Sequence, residues 1–575
     1  MQQFFKSIET NLASPKNFIA CSAAVYCIIL LPLSIVQFHW QFVADDLTLL
    51  HAAQVNPFPI FGDWIHSHSG LYRPLVILSF FLNFTLCGYS PFSFYLVNIL
   101  LHLVATLSVA LLGRKLFHYA ELHYSHVWSF WLGVIFLISP QNLQNVLWIS
   151  GRTDVLCGMF LFASILTLIK YIESSSKYFF ALFVVFQIAA FMSKETAIVI
   201  LLYVLLVAFI MREKKASASA YKILLPPVTL TALYLIFRAT ILTSSMVAQL
   251  GELSLGLSKI LKLALYGAWA LTFPIDLLDG IAFFEWSRVV TVVVGVSIII
   301  AAAVIVRQIV YNRGDNIRIG ALSIGLGFAS LIIYLLNFPQ MRLMYMHYPF
   351  ILIGIVYAMS SAKRYRPSVL ASVVILHGLL LLGVFTVVSR YAKINNYVLE
   401  LYKALPDKDE YQPQKQYILL SGLGRMGQSY GIPNIQYMAS LKLRGDLEER
   451  NQFFSIICYY ETHSLDPLHH TGEYNYVNPI TIEVKATHGG SVLVPSASKK
   501  FNFADSLFYS EISKNIQVIP REMGSLRGGT AKSCTIVFND RNLLDDVEVL
   551  HYEDSKFTRK PLKSFIADLQ GKKNR

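Results

Sequence analysis

Apolar runs dominate the first two thirds of the chain and then stop. From Phe18 to about Ser389, windows of roughly 17 to 25 mostly apolar residues recur, each long enough to cross a ~30 Å hydrocarbon core as a helix. Residues 390–575 contain no such window. There the stretches "QYILLSG", "FFSIICYY", "ITIEVKA", "GSVLVP" and "TIVFND" read as short strands among Gly, Pro and Asn turns. The pattern predicts two regions: a helical membrane domain at 1–389 and a water-soluble β-rich or α+β domain at 390–575.

The first window, "FIACSAAVYCIILLPLSIV", follows Lys6 and Lys16 and has no small-residue cleavage pattern after it, so it reads as a retained signal anchor. Lys and Arg in short loops orient the rest. A cytoplasmic N-terminus puts "GRKLF", "MREKK", "VRQIVYNRGDNIR" and "AKRYRP" in the cytoplasm. This works if "PLVILSFFLNFTLCGY", from Pro74, and the piece 259–273 lie as helices at the outer membrane interface. The count is then about eleven transmembrane helices plus interfacial helices. An odd number puts the tail outside the cytoplasm, on the face that carries Asp45 and Asp46 in "QFVADDLTLL".

Composition agrees, since 575 residues with 55% hydrophobic side chains and a mean hydropathy of +0.52 are too apolar for a soluble protein. The net charge of +13 needs no nucleic acid, because cytoplasmic loops facing anionic lipid account for much of it. No Walker loop, dinucleotide fingerprint or nucleophile elbow falls at a usable strand-to-helix junction. The six cysteines form no Cys-x-x-Cys pair. Cys458 and Cys534 share the tail, which leaves a disulfide open in an oxidising compartment.

Candidate chemistry lies where basic residues are not expected, at the outer face. Arg73 in "LYRPL", Arg152 and Asp154 in "WISGRTD", Lys194 and Glu195 in "SKETA", Arg238 in "IFRAT" and Arg342 in "PQMRLMYMHYP" map there or just inside helix ends. Any one pair suits an ion pair bracing a helix end; the set on one face suits a lipid phosphate, gripped by Arg forks and a Lys point charge. An aspartate opposite can take a proton from an acceptor hydroxyl. Together they describe sugar transfer from a lipid-linked donor. Two other classes stay open: a transporter or flippase of lipid-linked sugars, with its ionisable groups near the bilayer midplane, and a non-catalytic envelope assembly protein on a transferase-like scaffold. His66 and His68 in "WIHSHSG", with the Asp pair, leave a divalent metal site open. "NFT" at Asn83 fits a glycosylation acceptor by pattern.

The ordered set "DD" after the first span, "YRPL", "YLVNILLHLVATL", "VLWISGRTDVL", "SKETA" and "RLMYMHYPF" resembles the GT-C superfamily of polytopic glycosyltransferases across roughly 43–350. Within it, the chain is similar to the protein O-mannosyltransferase relatives that carry tetratricopeptide repeats. The resemblance implies an inverting transfer from a polyprenyl-phosphate sugar, with Asp45 as general base and Asp46 supporting it or helping to hold a metal or the acceptor. It implies donor-phosphate contacts from Arg73, Lys194, Arg342 and Tyr345, with Glu195 positioning Lys194, and a site held together by Arg152 and Asp154. A departure is that no repeat array follows the membrane domain, so the acceptor is a glycan, a lipid or a protein. A multi-pass protein with an extracytoplasmic tail suits a bacterial inner membrane, with the tail periplasmic; an endoplasmic reticulum placement stays open.

Overall fold

The computed structural model describes residues 2–55 except Ala44, then 72–214, 220–241, 315–330, 341–360 and 367–412. Beyond these it describes the C-terminal strands and helices given below. The interfacial piece 259–273 and the histidines His66 and His68 lie outside the described residues. The described residues fall into two compact units, one within Met1–His39, Ala52–Leu277 and Ser287–Val388, the other taking in Trp40–His51 and Ser389–Arg575.

The first unit is helical. Its helices are α1 (Gln2–Leu12), α2 (Pro15–Gln37), α4 (Pro74–Cys87), α5 (Pro91–Tyr119), α6 (Ser125–Ile138), α7 (Pro140–Leu147), α8 (Arg152–Ser174) and α9 (Lys177–Ser193). They continue with α10 (Ile200–Lys214), α11 (Ala220–Ile241), α12 (Asp315–Ser330) and α13 (Tyr348–Ser360); α3 (Asp46–Val55) begins in the second unit. Among the described residues three helical stretches are long and apolar enough to cross a membrane: Pro15–Gln37, Pro91–Tyr119 and Ile149–Ser174. The protein is a membrane protein, but the expected count of about eleven spans finds no support in these three. Six further apolar helices have only 10–17 residues. Residues 242–314 and 331–340 lie outside the described ones, and within the described ones two breaks shorten the helices. Pro140 follows the end of α6, and "SKETA" interrupts the apolar run after α9 with an extended residue and a 3-10 turn, Glu195–Val199. A hydropathy window averages across such breaks.

The helices bury a common core. Ala105, Val109 and Leu112 of α5 meet Leu132 and Phe136 of α6, Val155, Leu161 and Ile165 of α8, and Phe350 and Tyr357 of α13. Tyr203 of α10 stacks on Phe350 with centroids 3.7 Å apart.

The second unit pairs an α-helical segment with a sheet. Its helical part is the end, from Ser389, of α14 (Pro367–Ala404). The sheet's strands are β1 (Gln416–Met426), β2 (Ser429–Tyr430), β3 (Phe453–Tyr460), β4 (Glu473–Asn478), β5 (Thr481–Lys485), β6 (Ser491–Leu493), β7 (Ser510–Ser513), β8 (Ile516–Met523), β9 (Thr530–Phe538), β10 (Val547–Glu553) and β11 (Lys556–Pro561), and along its main path they run β11-β10-β1-β3-β6-β9-β5-β4. Strand β1 runs parallel to β10 and β3, whereas β11 adds antiparallel at the edge. Helix α15 (Leu562–Lys573) presents Leu562, Phe565, Ile566 and Leu569, spaced for one helix face, to Ile418, Leu420, Val547 and Val549. The tail is therefore α+β. Cys534 is buried inside this core, whereas the side chain of Cys458, its candidate disulfide partner, lies outside the described residues.

Candidate functional site

The motif "VLWISGRTD" folds as a sharp entry to α8. After α7, a 3-10 turn at Ile149–Gly151 hands the chain to Arg152, the first residue of the helix. A Cβ on Gly151 would collide with the backbone carbonyl of Asn145, so only glycine fits this turn. Gly151→Ala is expected to cost about 1–3 kcal/mol through overpacking, read as a lower melting temperature of the detergent-solubilised protein.

Arg152 is fully buried. It donates from Nε to Asn98 Oδ1 (2.7 Å), from Nη2 to Asn83 Oδ1 (3.0 Å) and Phe94 O (2.9 Å), and from Nη1 to Ser79 O (3.3 Å). Its guanidinium lies 4.6 Å from the Phe80 ring centre and 5.3 Å from that of Phe94. This side chain pins α8 to α4 and α5 and gives four of its five N–H donors to that cage. Asn83 is buried and its amide also donates to Ser93 Oγ at 3.0 Å, so it is not a glycosylation acceptor.

Two ion pairs adjoin this knot. Lys194 Nζ is 2.5 Å from Asp154 Oδ1, with side-chain exposures of 7% and 0%. Arg73 meets Glu195 through two bonds, Nη2 to Oε1 at 2.8 Å and Nε to Oε2 at 3.3 Å, with exposures of 19% and 18%. This corrects the expectation that Glu195 positions Lys194. Lys194 is fully extended (φ −162°, ψ 142°), so its side chain and that of Glu195 leave the backbone on opposite sides and find partners on different helices. The charges of Asp154, Arg73, Arg342 and Glu195 all bear on Lys194. Arg342, half-buried, lies over the Trp148 ring at 4.4 Å from its centre, and its backbone carbonyl accepts from Asn145 Nδ2 at 2.8 Å. Among the described residues Arg73, Lys194, Arg342, Asp154 and Glu195 thus come together as three cations with two carboxylates, an excess that suits an anion, with Arg152 fixing the helix that carries Asp154.

Tyr345 packs within the same helical core. It is fully buried, and its hydroxyl lies 2.8 Å from His102 Nδ1, whose Nε2 lies 3.1 Å from the carbonyl of Leu137. A carbonyl only accepts, so Nε2 carries the proton and Nδ1 accepts from Tyr345. The phenol proton is committed inside the bundle rather than turned to a phosphate. Gly158 makes room for the ring: a Cβ there would stand 2.6 Å from Tyr345 Cε1. Asn98 and His102 were missed from the sequence, although two polar residues at i and i+4 in the apolar "YLVNILLHL" were the available signal.

Asp45 and Asp46 belong to the second unit. The backbone turns between Val43 O and Asp46 N (3.1 Å), and Asp46 Oδ2 accepts in return from Val43 N at 2.9 Å. Asp46 is fully buried and its carboxylate locks this turn, whereas Asp45, one residue before helix α3, is exposed. The approach to the turn is anchored to α14, where Gln41 N donates to Asn395 Oδ1 (2.8 Å) and Trp40 stacks on Tyr391. Among the described residues no group of three or more His, Cys, Asp or Glu could hold a metal ion; His66 and His68 are not among them.

No family model matches the chain. Part of it does match known proteins. The chain is similar to protein O-mannosyl-transferases of animals. It is 38% identical over 113 residues to protein O-mannosyl-transferase TMTC2 of Mus musculus, which covers 18% of this chain and 12% of the relative. With protein O-mannosyl-transferase Tmtc1 of Drosophila melanogaster it shares 32% over 133 residues, 23% of this chain and 15% of the relative. With TMTC4 of Homo sapiens it shares 33% over 114 residues, 18% and 15%. The chain thus spans less than a fifth of the length of each of these relatives, and the likeness supports a membrane glycosyltransferase in general terms.

Proposed function

We propose that the protein transfers a sugar from a polyprenyl-phosphate donor to an acceptor hydroxyl, with inversion, at the non-cytoplasmic face of a membrane. The observation that carries this reading is the group of half-buried Arg73 and Arg342 with buried Lys194, which among the described residues has more cations than carboxylates. Its charge and its forked donors match a phosphate monoester or diester. Asp45, held outward by the turn that Asp46 closes, is the general base. It takes the proton of the acceptor hydroxyl as that oxygen forms a bond to the anomeric carbon. The bond from that carbon to the phosphate oxygen breaks, and its electron pair leaves on the polyprenyl phosphate. Arg73, Lys194 and Arg342 stabilise the charge that gathers there, while Arg152 holds the helix that carries Asp154 and so sets the position of Lys194.

Relatives named protein O-mannosyl-transferases make mannose the first sugar, and a protein the first acceptor, to test. The experiment is transfer of label from radiolabelled polyprenyl-phosphate mannose, glucose and galactose into protein, glycan and lipid fractions by membranes that contain the chain. Arg342→Gln, which keeps the stem over Trp148 and removes the charge, is expected to lower kcat/KM for the donor about 10²-fold. An unchanged kcat/KM would take Arg342 out of the donor site.

A further inference from the structure

The short helix α7 carries more polar surface than its burial accounts for. In "PQNLQNVLW" Asn142 and Asn145 are three residues apart and lie on one side of the helix, and Trp148 follows as the extended residue that caps its C-terminal end. All three are buried, as is Gln37 of α2. The amide nitrogens are committed to carbonyls: Asn142 Nδ2 donates to Phe136 O (2.7 Å), Asn145 Nδ2 to Arg342 O (2.8 Å) and Gln37 Nε2 to Val146 O (3.3 Å). Those bonds fix which end of each amide is oxygen, because a carbonyl accepts only from the NH2 side. The oxygens Asn142 Oδ1, Asn145 Oδ1 and Gln37 Oε1, and the indole Nε1–H of Trp148, have no hydrogen-bond partner among the described residues.

A buried polar atom without a partner is costly, so each of these calls for an explanation. Three acceptors and one donor on neutral groups match neither a phosphate, which needs donors, nor an apolar chain. They match hydroxyl groups, each of which donates one hydrogen bond and can accept another. Their location names the source of the hydroxyls. Asn145 holds the backbone of Arg342, whose guanidinium lies on Trp148, so the amide row adjoins the cations that grip the phosphate in the reading above. In a glycosyl phosphate the ring hydroxyls lie within a few ångströms of the phosphate.

We infer that Asn142, Asn145 and Trp148, with Gln37 beside them, form the subsite that reads the hydroxyls of the donor sugar. This rests on the phosphate reading of the cation group. Helix α7 carries the specificity for the sugar, and the cations carry the affinity for the lipid phosphate.

The test separates the two. The full chain in lipid nanodiscs is titrated with decaprenyl phosphate and with its mannose, glucose and galactose esters, for wild type, Asn142→Leu and Gln37→Met. Neither substitution touches a phosphate-binding residue, and both nearly preserve side-chain volume. Wild type is expected to bind one glycosyl ester more tightly than bare decaprenyl phosphate. Each variant is expected to lose about tenfold in affinity for that ester while its affinity for the bare phosphate stays within about twofold. A glycosyl preference that survives in both variants would overturn the subsite, as would a wild type that binds all four ligands alike; in either case bound phosphate would leave the cation reading standing. A loss of ester and bare phosphate to the same degree would make the amides mere supports of the cation group and overturn the subsite too. A wild type that binds none of the four would remove the phosphate reading, and the subsite with it.

Discussion

Asp45→Asn is expected to lower sugar transfer about 10²- to 10⁴-fold at equal protein abundance, the range that a positioned general base contributes. Asparagine keeps the size of the side chain and cannot take the acceptor proton. The neighbouring residue supplies the control. Asp46 is buried and its carboxylate is engaged with the backbone N–H of Val43, so Asp46→Asn, whose amide oxygen can accept the same bond, should preserve the turn and most of the transfer. Asp46→Ala frees the turn and should reduce transfer by letting Asp45 wander. Label transfer in membranes measures all three. Equal label from wild type and Asp45→Asn would exclude Asp45 as the base, and a larger loss from Asp46→Asn than from Asp45→Asn would reverse the two roles.

The largest stability effect is expected at Asp154. Its carboxylate is fully buried against Lys194 Nζ, so Asp154→Leu leaves an ammonium with 7% side-chain exposure and no counter-charge at 2.5 Å. Removing one partner of such a pair costs about 3–5 kcal/mol, because the remaining charge stays desolvated. The double variant Asp154→Leu/Lys194→Met removes both charges and fills similar volume. Its melting temperature should return close to that of wild type, a coupling that a double-mutant cycle quantifies. Its transfer activity should not return, since Lys194 is a donor contact. Single and double variants that melt together would mean that Lys194 finds another partner when Asp154 is gone, and that the pair does not set its position.

Much of the organisation was legible because it is local. The apolar run "FIACSAAVYCIILLPLSIV" becomes most of α2, "YLVNILLHLVATL" lies within α5, and "QYILLSG" and "FFSIICYY" fall on β1 and β3. The number of spans was not legible, because hydropathy averages over the breaks at Pro140 and at "SKETA" that divide apolar sequence into short helices. Arg73, Lys194 and Arg342 stand out in the sequence as charges unexpected in an apolar region. Their pairings do not.

Local composition and periodicity set the helical character of α2 and α5 and the strand character of β1 and β3, and they single out charged residues that are costly in an apolar chain. Those properties follow from composition within a window of a few turns. Tertiary packing is what pairs Lys194 with Asp154 and Arg73 with Glu195, commits Arg152 to Asn83, Asn98 and two carbonyls, and sets the Tyr345 hydroxyl to donate a hydrogen bond to His102. Each of these bonds joins residues 40 or more positions apart. Such a choice is settled by which helix faces meet, and the direction of each backbone at the meeting point decides which charge can reach which partner.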